Sequence, residues 1–166
     1  FRRAILYGDR LRPASDRQFF SLDGDYSDER RMLMEMLSPA AFADELCRES
    51  AETGVNPLWL RSIIWQESRF REDAMGDAGE IGLMQLMELA AFEWADDHGV
   101  RDFEHSHVYD PRTNILAGTY YIKTRLDRYP HTDDPVAYAL ADYNAGRSRV
   151  RKWNTGTAET NSAAFI

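Results

Sequence analysis

One glutamate stands where the surrounding sequence pattern predicts an apolar side chain. Leu60, Ile63, Ile64 and Glu67 follow the i, i+3, i+4, i+7 spacing that puts residues on one helix face. Glu67 also lies near the C-terminal end of that helix, where the dipole disfavours negative charge. Partial burial and the dipole both favour the protonated carboxyl, which a general acid needs near neutral pH. The spacing fits equally well a carboxylate at the stripe's edge that pairs with Arg71, so spacing alone identifies no catalytic residue.

Several pairs of a capping residue and a proline predict the helices that would position this glutamate. Asn56-Pro57, Asp110-Pro111 and Asp134-Pro135 each place a side-chain cap before a proline at the first helical position. Ser38-Pro39 has the same form. The expected helices begin near residues 28, 39, 57, 83, 111, 135 and 147, and several end near residues 54, 69, 98, 144 and 153.

The rest of the pattern predicts an all-α fold with at most one small β-hairpin. Gly76, Gly79 and Gly82 indicate loop or short irregular structure over residues 71–82, where such a hairpin would lie. No long run alternates polar and apolar residues, as a half-buried strand would. Residues 1–26 are expected to form a lead-in or linker, and residues 27–166 the main domain.

Composition excludes several classes of function. The chain has 166 residues with a net charge of -8, which argues against a nucleic-acid binder. Its 43% hydrophobic content suits one folded domain. The single cysteine, Cys47, forms no internal disulfide and is expected to be buried. No segment has the roughly 18 apolar residues of a membrane span. The chain does not begin with Met, which suggests a cut within a longer protein that included a targeting or anchoring segment.

Three blocks of sequence, with a shorter one between the last two, resemble the lytic transglycosylases of the soluble type, in the goose-lysozyme-like superfamily. In chain order the blocks are Glu67-Ser68-Arg69-Phe70 with Ala74; Ala78-Gly79 with Gly82-Leu83-Met84-Gln85-Leu86-Met87 and Ala90-Ala91; Tyr109-Asp110-Pro111 with Asn114-Ile115 and Gly118; and Ala139-Leu140-Ala141-Asp142-Tyr143-Asn144-Ala145-Gly146 with Val150 and Trp153. Order and spacing agree over about residues 40–155. The resemblance implies an all-α, lysozyme-like (goose-type) helical domain.

The resemblance also implies roles for individual residues. Glu67 matches the family's single catalytic glutamate, and Tyr143 matches the tyrosine whose hydroxyl hydrogen-bonds that carboxyl. Met84 and Gln85 match residues that line the sugar groove, and Asn144 matches the motif asparagine near the same site. From the residues alone, alternatives stay open: Met84 as core, Asn144 as a brace at a helix end, and Tyr143 as a buried aromatic bonded elsewhere.

The reaction implied by the resemblance is non-hydrolytic cleavage of peptidoglycan strands at the β-1,4 bond between N-acetylmuramic acid and N-acetylglucosamine. Glu67 would act as acid and then as base, and the product would carry a 1,6-anhydro end. No cofactor or metal is expected, and the close histidines His105 and His107 are expected in an ordinary loop. The implied location is the periplasm of the bacterial envelope, where an anchor or cell-wall assembly outside this chain could hold the domain.

The sequence departs from the family pattern at four places in the first two blocks. Arg71-Glu72 replaces the common Asn-Pro, Gly76 replaces a common serine, Glu80 stands where alanine is usual, and Glu88 replaces a proline. Glu80 is expected to face solvent; the alternative is that it reaches into the groove and alters specificity or binds a cation of the peptide stem.

Three alternatives to this function remain open from sequence. A goose-type lysozyme hydrolase would need a second acid to position water, for which Glu80, Asp77 or Asp142 could serve. A non-catalytic glycan-binding module would not turn over substrate, although the presence of Glu67 and Tyr143 speaks against it. Cleavage of a related polymer such as chitin is the third alternative.

Overall fold

A computed structural model describes residues 41–154 and Ser162. The described chain contains six α-helices and one 3-10 helix. The predicted lead-in over residues 1–26, the helix expected near residue 28 and the Ser38-Pro39 pair lie outside the described residues. The helices are α1 Ala43–Thr53, α2 Pro57–Ser68, α3 Glu88–Asp97, α4 Pro111–Leu126, α5 Pro135–Ala145 and α6 Arg147–Trp153, with the 3-10 helix His105–Tyr109 before α4.

The three cap-and-proline pairs open helices as predicted. The Asn56 side chain accepts the N–H of Leu58 at 2.9 Å, and α2 begins at Pro57. Asp110 accepts the N–H of Thr113 at 2.8 Å at the start of α4. Asp134 accepts two backbone N–H groups, each at 3.2 Å, at the start of α5. Each cap satisfies donors that the first helical turn leaves without a partner, which fixes where the helix starts.

One predicted helix start is wrong, and a second expected helix is interrupted. The helix expected from about Leu83 begins only at Glu88, because Gln85 has a left-handed backbone (φ 47°) and residues 83–87 form turns. The helix expected from Pro39 does not run on continuously, because Phe42 is also left-handed (φ 60°) and α1 begins at Ala43. In each case one residue with positive φ interrupts the helical hydrogen bonding.

The expectation for Cys47 is also wrong, since its side chain is exposed. Leu46 and Glu49 supply the buried face of α1, and Cys47 is turned away from both. Cys47 follows Leu46 by one residue, which turns its side chain about 100° around the helix axis.

Helix α4 is the centre of the fold. It packs against α1, α3, α5 and the 3-10 helix, while α2 packs on α1 and α6 on α5. Its buried face presents Ile115, Ala117, Gly118 and Ile122. The other large side chains that are fully buried come from α2, α5, α6, the loop before α3 and shorter connections. They are Val55, Leu60, Ile64, Leu83, Met84, Leu86, Val108, Tyr138 and Val150.

The loop between α2 and α3 rests on this core and contributes to it. Its strand-like structure is limited, among the described residues, to the isolated antiparallel bridges Met75–Ile81 and Ile81–Leu86. This agrees with the prediction of at most one small hairpin. Within the described part of the chain, no helix is long and apolar enough to cross a membrane.

Candidate active site

Glu67 lies one residue before the end of α2, at the edge of the buried stripe. Leu60 and Ile64 on the same face are fully buried, and Glu67 itself is half-buried. Burial raises the pKa of the Glu67 carboxyl, and the negative charge of Glu80 raises it further. The sequence predicted the direction of this shift and the part played by burial, but not the contribution of Glu80.

Two contacts hold Tyr143, on α5, within electrostatic range of this carboxyl. Its hydroxyl donates a hydrogen bond to the backbone carbonyl of Met84 at 2.7 Å. The ring of Tyr121, on α4, meets the Tyr143 ring edge to face with centroids 5.2 Å apart. Burial raises the pKa of Tyr143 well above its usual value, and a charge on Glu67 acts in the same direction. The phenol therefore stays protonated near neutral pH.

The hydrogen bond of Tyr143 differs from the one that the resemblance implied. The phenol has one proton, and that proton is given to Met84 and not to Glu67. The Tyr143 oxygen keeps acceptor capacity, so a hydrogen bond with Glu67 requires the glutamate to be the donor. That arrangement suits a protonated carboxyl.

The structure places Met84 in the core, which corrects its expected role. Its side chain is 0% exposed, so it offers no surface to a sugar. A Cβ on Gly118 would overlap Met84 Sδ and lie 2.9 Å from its Cε, so the loop and α4 approach closely only because residue 118 is glycine. The contribution of Met84 to the site is its backbone carbonyl, which orients Tyr143.

The amide nitrogen of Gln85 braces the loop, and its amide oxygen takes no part in the same hydrogen bonds. Its amide nitrogen donates to the carbonyl of Gly82 at 2.9 Å and to that of Ala74 at 3.3 Å. The side chain is half-buried, and its Oε1 lies on the side of Gly76. The amide oxygen is thus the part of Gln85 that could receive an N–H from a ligand.

Asn114 is the site-building residue whose role the sequence did not assign. It is 0% exposed on α4, and its amide donates to the carbonyls of Ile81 at 2.9 Å and Val108 at 2.8 Å. Its oxygen accepts the N–H of Met84 at 2.8 Å. The sequence did contain a signal for this role, since Asn114 is a polar residue on the buried face of α4, next to Ile115.

Gly82 makes room for this asparagine. The glycine has a left-handed backbone (φ 78°), and a Cβ there would overlap the Asn114 amide and lie 2.7 Å from the Val108 carbonyl oxygen. Asn114 and Gly82 together fix the loop that carries Met84 and Gln85 against α4.

Glu80 does not simply face solvent, as the sequence favoured. Its side chain is half-buried, and its carboxylate accepts the N–H of Ala78 at 3.1 Å. A Cβ on Gly76 would overlap Glu80 Oε2 and lie 2.9 Å from its carboxyl carbon. The carboxylate therefore lies over Gly76, in space that a side chain at residue 76 would need.

The remaining candidates make none of the contacts described above. Asn144 follows Tyr143 on α5 and is exposed. Asp142 is 1% exposed, and its carboxylate accepts the Tyr129 hydroxyl at 2.7 Å and an Arg128 N–H at 3.3 Å, so it is committed to those partners. Asp77 is exposed on the loop.

The two close histidines belong to a short helix and not to an ordinary loop. His105 Nε2 lies 2.8 Å from the Leu86 carbonyl oxygen. His107 Nδ1 accepts the N–H of Glu104 at 3.2 Å and closes the start of the 3-10 helix. In residues 41–154 and Ser162, no group of three or more histidine, cysteine or acidic side chains could hold a metal ion.

The chain is similar in sequence to proteins named as lytic murein transglycosylases. The soluble lytic murein transglycosylase of Salmonella typhimurium is 28% identical over 77% of this chain and 20% of its own length. The membrane-bound lytic murein transglycosylase F 2 of Alkalilimnicola ehrlichii is 28% identical over 86% of this chain and 31% of its own.

Among solved structures, an inactive glutamate-to-glutamine mutant of the lytic transglycosylase Slt from Pseudomonas aeruginosa superposes with a TM-score of 0.66. It is 28% identical over 79% of this chain and 23% of that chain. The likeness agrees with the all-α, lysozyme-like fold. The chain spans less than a third of the length of these three proteins. A family model for the transglycosylase SLT domain matches residues 46–166, most of the sequence, and the chain therefore belongs to that family.

Proposed function

We propose that this domain is a lytic transglycosylase that cleaves the β-1,4 bond between N-acetylmuramic acid and N-acetylglucosamine in peptidoglycan and leaves a 1,6-anhydro end. The observation that carries the proposal is the Glu67 carboxyl, half-buried with a raised pKa beside the buried hydroxyl of Tyr143. Such a carboxyl keeps its proton at a higher pH than an exposed glutamate does, as an acid catalyst requires.

In the proposed reaction, Glu67 gives its proton to the oxygen of the scissile bond as the bond from C1 to that oxygen breaks. The oxygen of the neighbouring N-acetyl group relieves the positive charge that develops at C1. Glu67, now a carboxylate, takes the proton of the C6 hydroxyl while O6 forms a bond to C1. The glutamate ends as it began, and one carboxylate suffices because the nucleophile is part of the substrate.

The groups around Glu67 would orient its carboxyl and the bound sugar during these proton transfers. Tyr143 gives its proton to Met84, so its oxygen can accept a hydrogen bond from protonated Glu67 and hold the acid in place. The Oε1 atom of Gln85 and the exposed side chain of Asn144 could bind the N-acetyl groups of the sugar. Positioning the C6 hydroxyl over C1 would supply much of the entropic advantage.

The proposed substrate places the domain's action in the bacterial cell envelope, on the periplasmic side. Relatives named as soluble and as membrane-bound lytic murein transglycosylases support the envelope. The chain aligns with less than a third of each of these relatives, and the proposal leaves an anchor or an assembly partner to sequence outside it.

Digestion of purified peptidoglycan sacculi, followed by mass spectrometry of the released fragments, tests the proposal. We expect fragments lighter by one water than reducing-end fragments, and Glu67→Gln should release none while still binding sacculi. Glu72→Gln, which changes an exposed carboxylate of the following loop, is the matched control and should cleave normally. Reducing ends would indicate a goose-type hydrolase, and binding without any cleavage by the wild type would indicate a glycan-binding module.

A further inference from the structure

Two of the departures from the family pattern prove to be one structural feature. Gly76 stands in place of a serine and Glu80 in place of an alanine, and the sequence gives no reason to connect them. In the structure the Glu80 carboxylate lies in the space that a Cβ at residue 76 would need. The Glu80 carboxylate can therefore lie here only because residue 76 is glycine.

The loop holds the Glu80 carboxylate there. Residues 76–80 form a tight turn in which the Gly76 N–H donates to the Glu80 carbonyl at 2.8 Å, and the Gly79 N–H donates to the Gly76 carbonyl at 3.1 Å. The Ala78 N–H donates to the carboxylate itself at 3.1 Å. Gln85 Oε1 would lie 3.1 Å from a Cβ on Gly76, so the carboxylate and the Gln85 oxygen adjoin the same position.

We propose that Glu80 is a second carboxylate of the active site, with its side chain lying over Gly76. Glu80 acts as a positioning residue that keeps the proton on Glu67. The inference rests on the proposed function, because it gives that proton a catalytic use. A negative charge held near Glu67 makes loss of its proton less favourable, so the acid form persists to higher pH than it would beside alanine.

The charged and titratable groups around Glu67 support this assignment. Burial raises the pKa of Glu67 first, and Glu80, from the loop, is the charge that raises it further. Tyr143, from α5, faces Glu67 as a neutral phenol, and Tyr121 and Arg125, from α4, act on Tyr143. The carboxylate of Asp142, also on α5, accepts hydrogen bonds from Tyr129 and Arg128.

The rate of sacculus solubilisation as a function of pH tests the inference. Glu80→Gln keeps the shape of the side chain and an oxygen for the Ala78 N–H but removes the charge. We expect the alkaline limb of the profile to move to lower pH, with a rate about threefold below wild type on that limb, and the acid limb to stay in place. Asp77→Asn, which removes a charge from an exposed position of the same loop, should leave both limbs unchanged.

A second variant moves the charge without deleting it. Gly76→Ser introduces a side chain that would displace the Glu80 carboxylate, so the alkaline limb should move in the same direction as in Glu80→Gln. The double variant Gly76→Ser/Glu80→Ala restores the family pattern and should match Glu80→Gln, with no further shift. Circular dichroism and a melting curve for each variant would separate a shifted limb from lost fold.

The outcomes separate the two proposals. An unmoved alkaline limb in Glu80→Gln, with the wild type active and Glu67→Gln inactive, would overturn the role of Glu80 and leave the proposed function standing. Inactive wild-type protein would overturn the proposed function itself. A rise in anhydro ends at the expense of reducing ends in Glu80→Gln would also overturn the positioning role, because Glu80 would then be a base that activates water.

Discussion

Replacing Asn114 with alanine tests whether one buried amide holds the loop of the candidate active site on α4. The side chain is 0% exposed and makes three hydrogen bonds of 2.8 to 2.9 Å, to Ile81, Val108 and Met84. The alanine removes all three at once. It does not disturb the apolar neighbours of the helix, so the loss should come chiefly from the polar groups that remain.

The magnitude follows from which groups lose a partner. The Ile81 carbonyl still accepts the N–H of Leu86 at 3.0 Å. The Met84 N–H and the Val108 carbonyl lose the bonds that Asn114 provides. A buried polar group left unsatisfied costs roughly 1–3 kcal/mol, so two of them cost about 2–6 kcal/mol, and we expect about 3 kcal/mol after water relieves part of it. That is a large share of the roughly 5–15 kcal/mol by which a domain is stable.

Urea unfolding and the rate of cleavage measure the two consequences. Asn56→Ala is the matched control, because that side chain makes one exposed capping bond and should cost only about 1 kcal/mol. We also expect a lower kcat for Asn114→Ala under conditions where it is folded, since Met84 carries the carbonyl that orients Tyr143. Equal losses of stability in the two variants, with normal kcat, would refute the reasoning.

Three further predictions concern glycine, tyrosine and glutamate positions. Gly82→Ala should lose about 2 kcal/mol more in urea unfolding than Gly99→Ala, because both have positive φ but only Gly82 would press a Cβ into the buried asparagine amide. Tyr143→Phe should lower kcat about tenfold, whereas Tyr129→Phe, which also removes a hydroxyl bonded at 2.7 Å, should lose stability alone. Glu67→Gln should melt at a higher temperature than wild type at pH 7 but not near pH 4. The raised pKa makes the folded protein bind more protons than the unfolded chain above the ordinary value of 4.5, so stability falls as pH rises through that window.

The sequence predicted the parts of the fold that depend on local chemistry. Asn56, Asp110 and Asp134 cap helices because a short polar side chain followed by proline satisfies the first turn in almost any tertiary setting. The position of Glu67 at the edge of a buried stripe followed from helical periodicity alone. These features need no information about which elements later meet.

The parts that the sequence did not predict depend on contacts between distant segments. Residues 83–87 contain good helix formers, yet the left-handed Gln85 and the bond from Asn114, 30 residues away, hold the Met84 segment as a turn. The exposure of Cys47 depends on which face of α1 meets its neighbours. The pairing of Gly76 with Glu80 likewise appears only once the loop is folded.

The proposed use of the Glu67 proton explains the choice of residues around it. A carboxyl with a raised pKa weakens the fold at neutral pH, and a second carboxylate nearby adds to that cost. Glutamine at either position would remove the penalty while filling the same space. The buried amide of Asn114 and the close approach at Gly118 supply stability elsewhere in the loop. Under the proposed function, the braced loop and the helix end keep an unfavourable carboxyl because its proton is used, so loss of Glu67 should raise the melting temperature and abolish cleavage in the same protein.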